Sequence, residues 1–310
     1  MKEVPSWARW DRLLEVREQL PREVLVPPLL HSSEFGCKLV CENLQVTGSY
    51  KVRAVCHLLT SRPPGTPVAL ASSGNFAVAL AWAGQRLGYP VAAVMMQRSL
   101  AWKVDRVRSL GGRVVFCGNT TEERTEALYA LEREGFELVD HLIEPEVLVG
   151  HATLGVDMAR LGHPERVLVP ASTGGLLAAT ALSLKQKFPG LKVVGLQPEG
   201  SNALVLSWSS GHLCRRDHIR TECDALTANR PGQLPWEVIR DWVDEVIEVP
   251  ELAIRAAVVD LLERSKLLVE PGGAIGLAAV RNGQVASGPG TWIVLSGGNF
   301  DPARLRDWLA

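Results

Sequence analysis

The feature that most constrains this chain is an alternation: short β-branched runs, each followed by a turn of small residues and then a helical pattern. Val68–Ala71, Val91–Val94, Val114–Phe116 and Glu137–Val139 read as strands, with helices predicted over 75–87, 100–110 and 121–134. The last helix opens on Thr120-Thr121 with Glu122 and Glu123 in its first turn, where the helix dipole favours acids. The alternation restarts at Arg166–Val169, with a helix from about 175, strands at 192–197 and 244–249, a helix over 250–265 and a last strand at Trp292–Leu295. Strands joined through helices make a mainly parallel sheet, so the fold is predicted to be α/β, with two three-layer α/β/α units. One unit takes residues 65–142 and the other takes 1–64 with 143–310, a division that suits 310 residues. The polar stretch 211–234 is the least patterned and reads as an ordered functional loop or a mobile one.

Composition removes several function classes. Lys and Arg number 33 against 34 Asp and Glu, and no basic stripe carries interleaved aromatics, so no nucleic-acid partner is expected. No apolar run approaches the ~18 residues of a membrane span, and the acid-containing, amphipathic start of the chain is unlike a signal peptide. A cytoplasmic protein without membrane contact is expected. Cys37, Cys41, Cys56, Cys117, Cys214 and Cys223 show no C-x-x-C spacing and read as buried thiols rather than zinc ligands or disulfides. The nine tryptophans read as core and rim packing. What remains is a near-neutral chain with 28 glycines, several in clusters, that looks built to hold something without using charge to do it.

Four of the small-residue turns carry the chemistry. Asn43 through Lys51 places Lys51 in the first turn of a helix running to about Leu59. There the positive end of the dipole disfavours the ammonium form and helps to supply a neutral, nucleophilic amine, although a solvated surface lysine is the commoner fate. Ser72-Ser73-Gly74-Asn75 ends a strand and opens a helix, converging backbone N–H groups and hydroxyls on a point where a carboxylate fits; an ordinary capped turn has the same look. Ser172-Thr173-Gly174-Gly175-Leu176 is a phosphate cradle without a lysine and matches no nucleotide fingerprint. Leu295-Ser296-Gly297-Gly298-Asn299 sets a hydroxyl at the carboxyl edge of the sheet, where open α/β sheets bind ligands.

Taken in this order, the turns resemble the fold-type II pyridoxal-phosphate enzymes, the family of serine/threonine dehydratases, serine racemase, cysteine synthase and threonine synthase. The resemblance runs from about Pro27 to Asp301 and includes Glu42–Lys51 and Glu270-Pro271-Gly272-Gly273-Ala274. It implies a tryptophan synthase β-like architecture, with 1–64 and 143–310 as the large, cofactor-binding domain and 65–142 as the small one. It further implies pyridoxal 5'-phosphate as cofactor, held by Lys51 as a Schiff base, by Tyr50 and Asn75 at the ring, by Ser172, Thr173, Gly174, Gly175 and Leu176 at the phosphate, and by Ser296 at the pyridine nitrogen. Ser72, Ser73, Gly74 and Asn75 would hold the substrate carboxylate, and Ser73, with Lys51, is a candidate acid/base group. A serine at the pyridine nitrogen cannot keep it protonated as an aspartate would, which suits β-elimination and β-replacement better than aminotransfer.

The chain also departs from the family pattern. Tyr50 stands where dehydratases usually carry Phe, and Phe76 replaces a common histidine. Gln197 and Ala203 occupy positions where racemase-like members place acidic ligands, so no metal is expected. The dehydratase-like terminus and Asp224-Ala225-Leu226 with Arg230-Pro231-Gly232 favour an ammonia-lyase acting on L-threonine, L-serine or both, and the resemblance implies a homodimer. Serine racemisation, cysteine synthase-like β-replacement and a silent ligand-binding member of the fold are the alternatives.

Overall fold

A computed structural model describes residues 3–72, 74–118 and 121–309. Ten strands are seen among these residues: β1 (Leu29–Ser32), β2 (Cys37–Val40), β3 (Val68–Ala71), β4 (Val91–Met96), β5 (Arg113–Cys117), β6 (Glu137–Val139), β7 (Arg166–Pro170), β8 (Lys192–Pro198), β9 (Glu245–Val249) and β10 (Thr291–Val294). The helices are α1 (Trp10–Gln19), α2 (Lys51–Thr60), α3 (Asn75–Leu87), α4 (Ala101–Ser109), α5 (Thr121–Arg133), α6 (Pro145–Leu161), α7 (Gly175–Lys185), α8 (Ala203–Ser210), α9 (Gln233–Trp242), α10 (Glu251–Ser265), α11 (Pro271–Arg281) and α12 (Pro302–Leu309).

The strands form two sheets, one ordered β1-β2-β10-β7-β8-β9 and one ordered β5-β4-β3-β6. Every pair is parallel except β1 with β2, the one hairpin. Successive residues of β10 show how the larger sheet is covered. Trp292 and Val294 pack with residues of α6, α7 and α9, while Ile293 points into the cluster formed with α10 and α11. A sheet covered on both faces needs apolar residues at every position, and β10 is buried throughout. This is the α/β, three-layer architecture predicted from the alternation, and the predicted strand and helix ends lie within two residues of those observed.

Other elements are silent in the sequence pattern, for physical reasons. β1 is a half-exposed edge strand with no apolar face to betray it. Helix α6 is buried all round and so shows no amphipathic stripe. Its two glycines, poor helix formers, serve close packing: a Cβ on Gly150 would sit 2.5 Å from Ala54 Cα in α2, and one on Gly155 2.0 Å from Ser183 Oγ in α7. Five of the six cysteines are buried, Cys214 is partly exposed, and all six are free.

Candidate active site

The site forms where the turn before α2 meets the turn after β10. Tyr50 N–H donates to Ser296 C=O at 3.1 Å, Gly298 N–H to Gly48 C=O at 2.9 Å, and Ser49 bridges Gly297, so the two turns are zipped together. Gly48, at φ +71°, has no alternative: a Cβ there would lie 2.3 Å from Asn299 Oδ1. The Asn299 amide then links three segments. Its Nδ2 donates to Thr47 C=O at 2.9 Å and to Asn75 Oδ1 at 3.0 Å, and Asn75 Nδ2 donates in turn to Glu270 Oε1 at 2.7 Å. Asn75 is thereby held at the first residue of α3, with its amide orientation fixed from both sides.

Lys51 opens α2 inside an aromatic enclosure. Its Nζ lies 4.6 Å from the centre of the Tyr50 ring and 5.1 Å from that of Phe76. Behind these rings stand two histidines: His151 is 4.8 Å from Tyr50 and 6.3 Å from Phe76, centre to centre, and His141 is 5.5 Å from Phe76. Burial among these groups pulls the Lys51 amine down to about 8, against the attraction of Glu270. Desolvation thus acts in the same direction as the dipole argued from the sequence. Burial, assisted by the Lys51 charge, also lowers His141 to about 4 and His151 well below the ordinary imidazole value. Glu270 moves the other way, pushed up to about 8 by burial and then by the charge of Asp224. All four groups are therefore biased toward their uncharged forms.

Two turns complete the constellation. Between β3 and α3, Gly74 N–H donates to Ser72 Oγ at 3.3 Å, ahead of the unpaired N–H groups of the helix start. Ser73 lies outside the described residues. Between β7 and α7, Gly174 adopts φ +95° and caps the helix, with no room for a side chain, since a Cβ would meet Ile239 Cδ1 at 2.6 Å. Thr173 C=O accepts from Gly232 N–H at 2.9 Å and Ser172 C=O from Gln197 Nε2 at 3.3 Å, fixing the loop from outside. The Leu176 side chain is buried in the core, so only its backbone is available to a ligand. Gln197 Oε1 accepts from the N–H groups of Leu204 and Val205, which occupies it fully in holding the loop against α8. Among the described residues no cluster of three His, Cys, Asp or Glu is arranged to hold a metal.

Sequence reasoning missed His141 and His151 altogether and gave no role to Glu270 or Asn299, although both lie in stretches it singled out. Glu270 had a local signal, a carboxylate directly before the Pro-Gly-Gly start of α11, but its partner Asn75 is 195 residues away. It also missed the fastening of the loop 211–234: Lys103 of α4 is almost wholly buried and its Nζ meets Asp224 Oδ2 at 2.5 Å.

This donor set fits a phosphorylated aldehyde. It combines an amine of lowered basicity with a glycine turn that admits no side chain at Gly174, and the buried polar atoms Ser49 Oγ, His151 Nδ1 and Glu270 Oε2 have no protein partner. Comparison with known proteins agrees. Residues 23–297 match the family model described as "Pyridoxal-phosphate dependent enzyme". The chain is 35% identical to an L-threonine ammonia-lyase of Geobacter sulfurreducens over 299 residues, covering 93% of this chain and 74% of that one. It is 33% identical to a serine racemase of Arabidopsis thaliana over 278 residues, covering 86% and 84%. Among solved structures it superposes on maize serine racemase with a TM-score of 0.92 at 28% identity, covering 97% of both chains. With geometry and comparisons in agreement, the chain belongs to the pyridoxal-phosphate dependent enzymes of fold type II and uses pyridoxal 5'-phosphate as its cofactor.

Proposed function

We propose that the protein is an ammonia-lyase that converts L-threonine, L-serine or both to a 2-oxo acid and ammonia by β-elimination. The observation that carries this reading is that Ser296, a residue with a neutral side chain, has its backbone fastened beside the Schiff-base candidate, through the bond from N–H of Tyr50, the residue before Lys51, to Ser296 C=O at 3.1 Å. On this reading Ser296 faces the pyridine nitrogen and leaves it unprotonated, a setting that favours expulsion of a β-substituent over prolonged storage of charge. When bound, the cofactor supplies an aldehyde that condenses with amines and a π system that takes up charge from Cα. Ser172, Thr173, Gly174 and Gly175 would hold its phosphate, and Tyr50 and Asn75 its ring. Lys51 Nζ, near neutrality in its titration, accepts the α-proton of the substrate and returns a proton later. Ser72, Ser73 and Gly74, with the start of α3, orient the substrate carboxylate. Departure of the β-hydroxyl as water leaves an enamine that hydrolyses to the 2-oxo acid and ammonia.

The threonine ammonia-lyase of Geobacter sulfurreducens supports this reading. On it, 1–64 with 143–310 form the large domain, 65–142 the small one, and substrate enters between them in a homodimeric enzyme. Incubation with each amino acid and assay of 2-oxo acid tests it; no product from either rejects it. A second reading, serine racemisation, is favoured by the likeness to plant serine racemases and would use Ser73 as acid/base group opposite Lys51. Chiral chromatography after incubation with L-serine separates the two.

A further inference from the structure

His151 is a buried group of the site that the reaction as described leaves unused. It sits on α6, 1% exposed, and its Nδ1 has no hydrogen-bond partner. The opposite edge of its ring lies against the glycine cradle: a Cβ on Gly175 would be 3.6 Å from His151 Cδ2 and 4.0 Å from Nε2. Its other neighbour is the Tyr50 ring at 4.8 Å. The helix that carries it is pressed onto α2 at Gly150, directly before it in sequence, so the imidazole is fixed relative to Lys51. The charged and titratable groups facing it, Lys51 and Arg53 from α2 and His141 from the segment before α6, all oppose protonation, so the ring is neutral. A neutral imidazole carries one N–H, and a buried N–H without a partner is costlier than a bare lone pair. The proton therefore belongs on Nε2, the nitrogen beside the cradle, leaving Nδ1 bare.

From this geometry we infer that His151 is a phosphate-binding residue, donating its Nε2–H to the cofactor phosphate held by Ser172–Gly175. It gives the site a neutral donor where the loop has no lysine or arginine. The dianion is then met by hydroxyls, backbone N–H groups and one imidazole. The inference rests on family membership and not on which amino acid is the substrate.

Two measurements test it, each on samples whose visible absorbance confirms a bound cofactor, so that a failure to bind cofactor is recognised separately. In protein carrying 15N-labelled histidine, addition of pyridoxal 5'-phosphate to the apoprotein is expected to move the His151 Nε2 resonance, whereas pyridoxal, which lacks the phosphate, leaves it in place. Equal responses to the two, or none to either, overturn the inference. In the second, His151→Phe is expected to weaken cofactor binding about 10- to 100-fold, the range of a hydrogen bond to a charged acceptor, and to shift the bound 31P resonance. His151→Gln, which keeps a donor, is expected to restore most of both. An unchanged affinity and 31P shift in His151→Phe overturn the inference; should that variant not fold, the labelled wild-type protein decides.

Discussion

Helix α2 carries two cations two residues apart, Arg53 wholly buried and Lys51 partly so, and the protein treats them in opposite ways. Arg53 is completely buried, and its guanidinium is matched point for point. It reaches both Glu42 oxygens at 2.8 and 3.0 Å, Asp157 Oδ2 at 2.8 Å and Leu25 C=O at 2.9 Å. Asp157 takes a second cation from outside, Arg17 Nε, at 2.7 Å. Burial alone would lower the Arg53 pKa, yet Glu42 and Asp157 outweigh it and hold the charge in place. Lys51 faces rings and two neutral imidazoles instead, with a single carboxyl, Glu270, that is itself pushed toward protonation. The sequence distance between them is nothing; the difference lies in whether burial is compensated. A compensated buried charge is a fixed part of the architecture, whereas an uncompensated one is ready to change its protonation or bond to something else.

The sharpest way to break this contrast is to exchange the consequences. Lys51→Ala is expected to abolish the visible band of the bound cofactor and to lower turnover by at least ~1000-fold, while thermal unfolding of the apoprotein stays cooperative and no less stable. If unfolding collapses as well, Lys51 is structural and the contrast fails. Arg53→Met should do the reverse, costing about 3–5 kcal/mol because Glu42 and Asp157 are left buried with too little positive charge; urea denaturation measures it. Arg17→Leu removes only the outer of the two cations on Asp157 and is expected to cost about 1–2 kcal/mol, less than Arg53→Met by the same assay. The last test reads a slope rather than a single value. The folded protein holds the Glu270 proton to about pH 8, whereas a free carboxyl releases it near 4.5. Stability from this group is therefore complete below pH 4.5 and is lost as pH rises through 8. Glu270→Gln should flatten the fall in urea midpoint between about pH 5 and pH 8 relative to wild type; an unaltered slope would show that Glu270 titrates normally.

The parts of the site legible in the sequence were those written within a few residues. Gly48-Ser49-Tyr50-Lys51 puts turn, hydroxyl and amine in one local unit, and Ser172–Gly175 does so for the cradle, so a strand-turn-helix pattern was enough to find both. Glu270 and Asn299 meet Asn75 across 195 and 224 residues, a juxtaposition that no local pattern encodes. His151 was hidden differently: it lies on a helix whose all-round burial erases the periodicity that would have announced the helix at all. The sheets were legible because their parallel strands are continuous apolar runs. The hairpin of β1 and β2 was not, since its outer strand carries His31 and Ser32 at the edge and buries little.

One consequence of the strand order concerns the birth of the protein. β10, last in sequence of the strands described, does not lie at an edge but is inserted between β2 and β7, pairing Ile293 with Leu39 on one side and Leu168 on the other. Until it arrives, the larger sheet is two fragments with facing open edges, and the turn at Ser296–Asn299 that zips onto Gly48 and Tyr50 does not exist. At ordinary rates of synthesis that interval lasts on the order of tens of seconds. The nascent chain must spend it with a hydrophobic slot exposed, which makes translation speed and chaperone access part of what determines how much active protein a cell obtains.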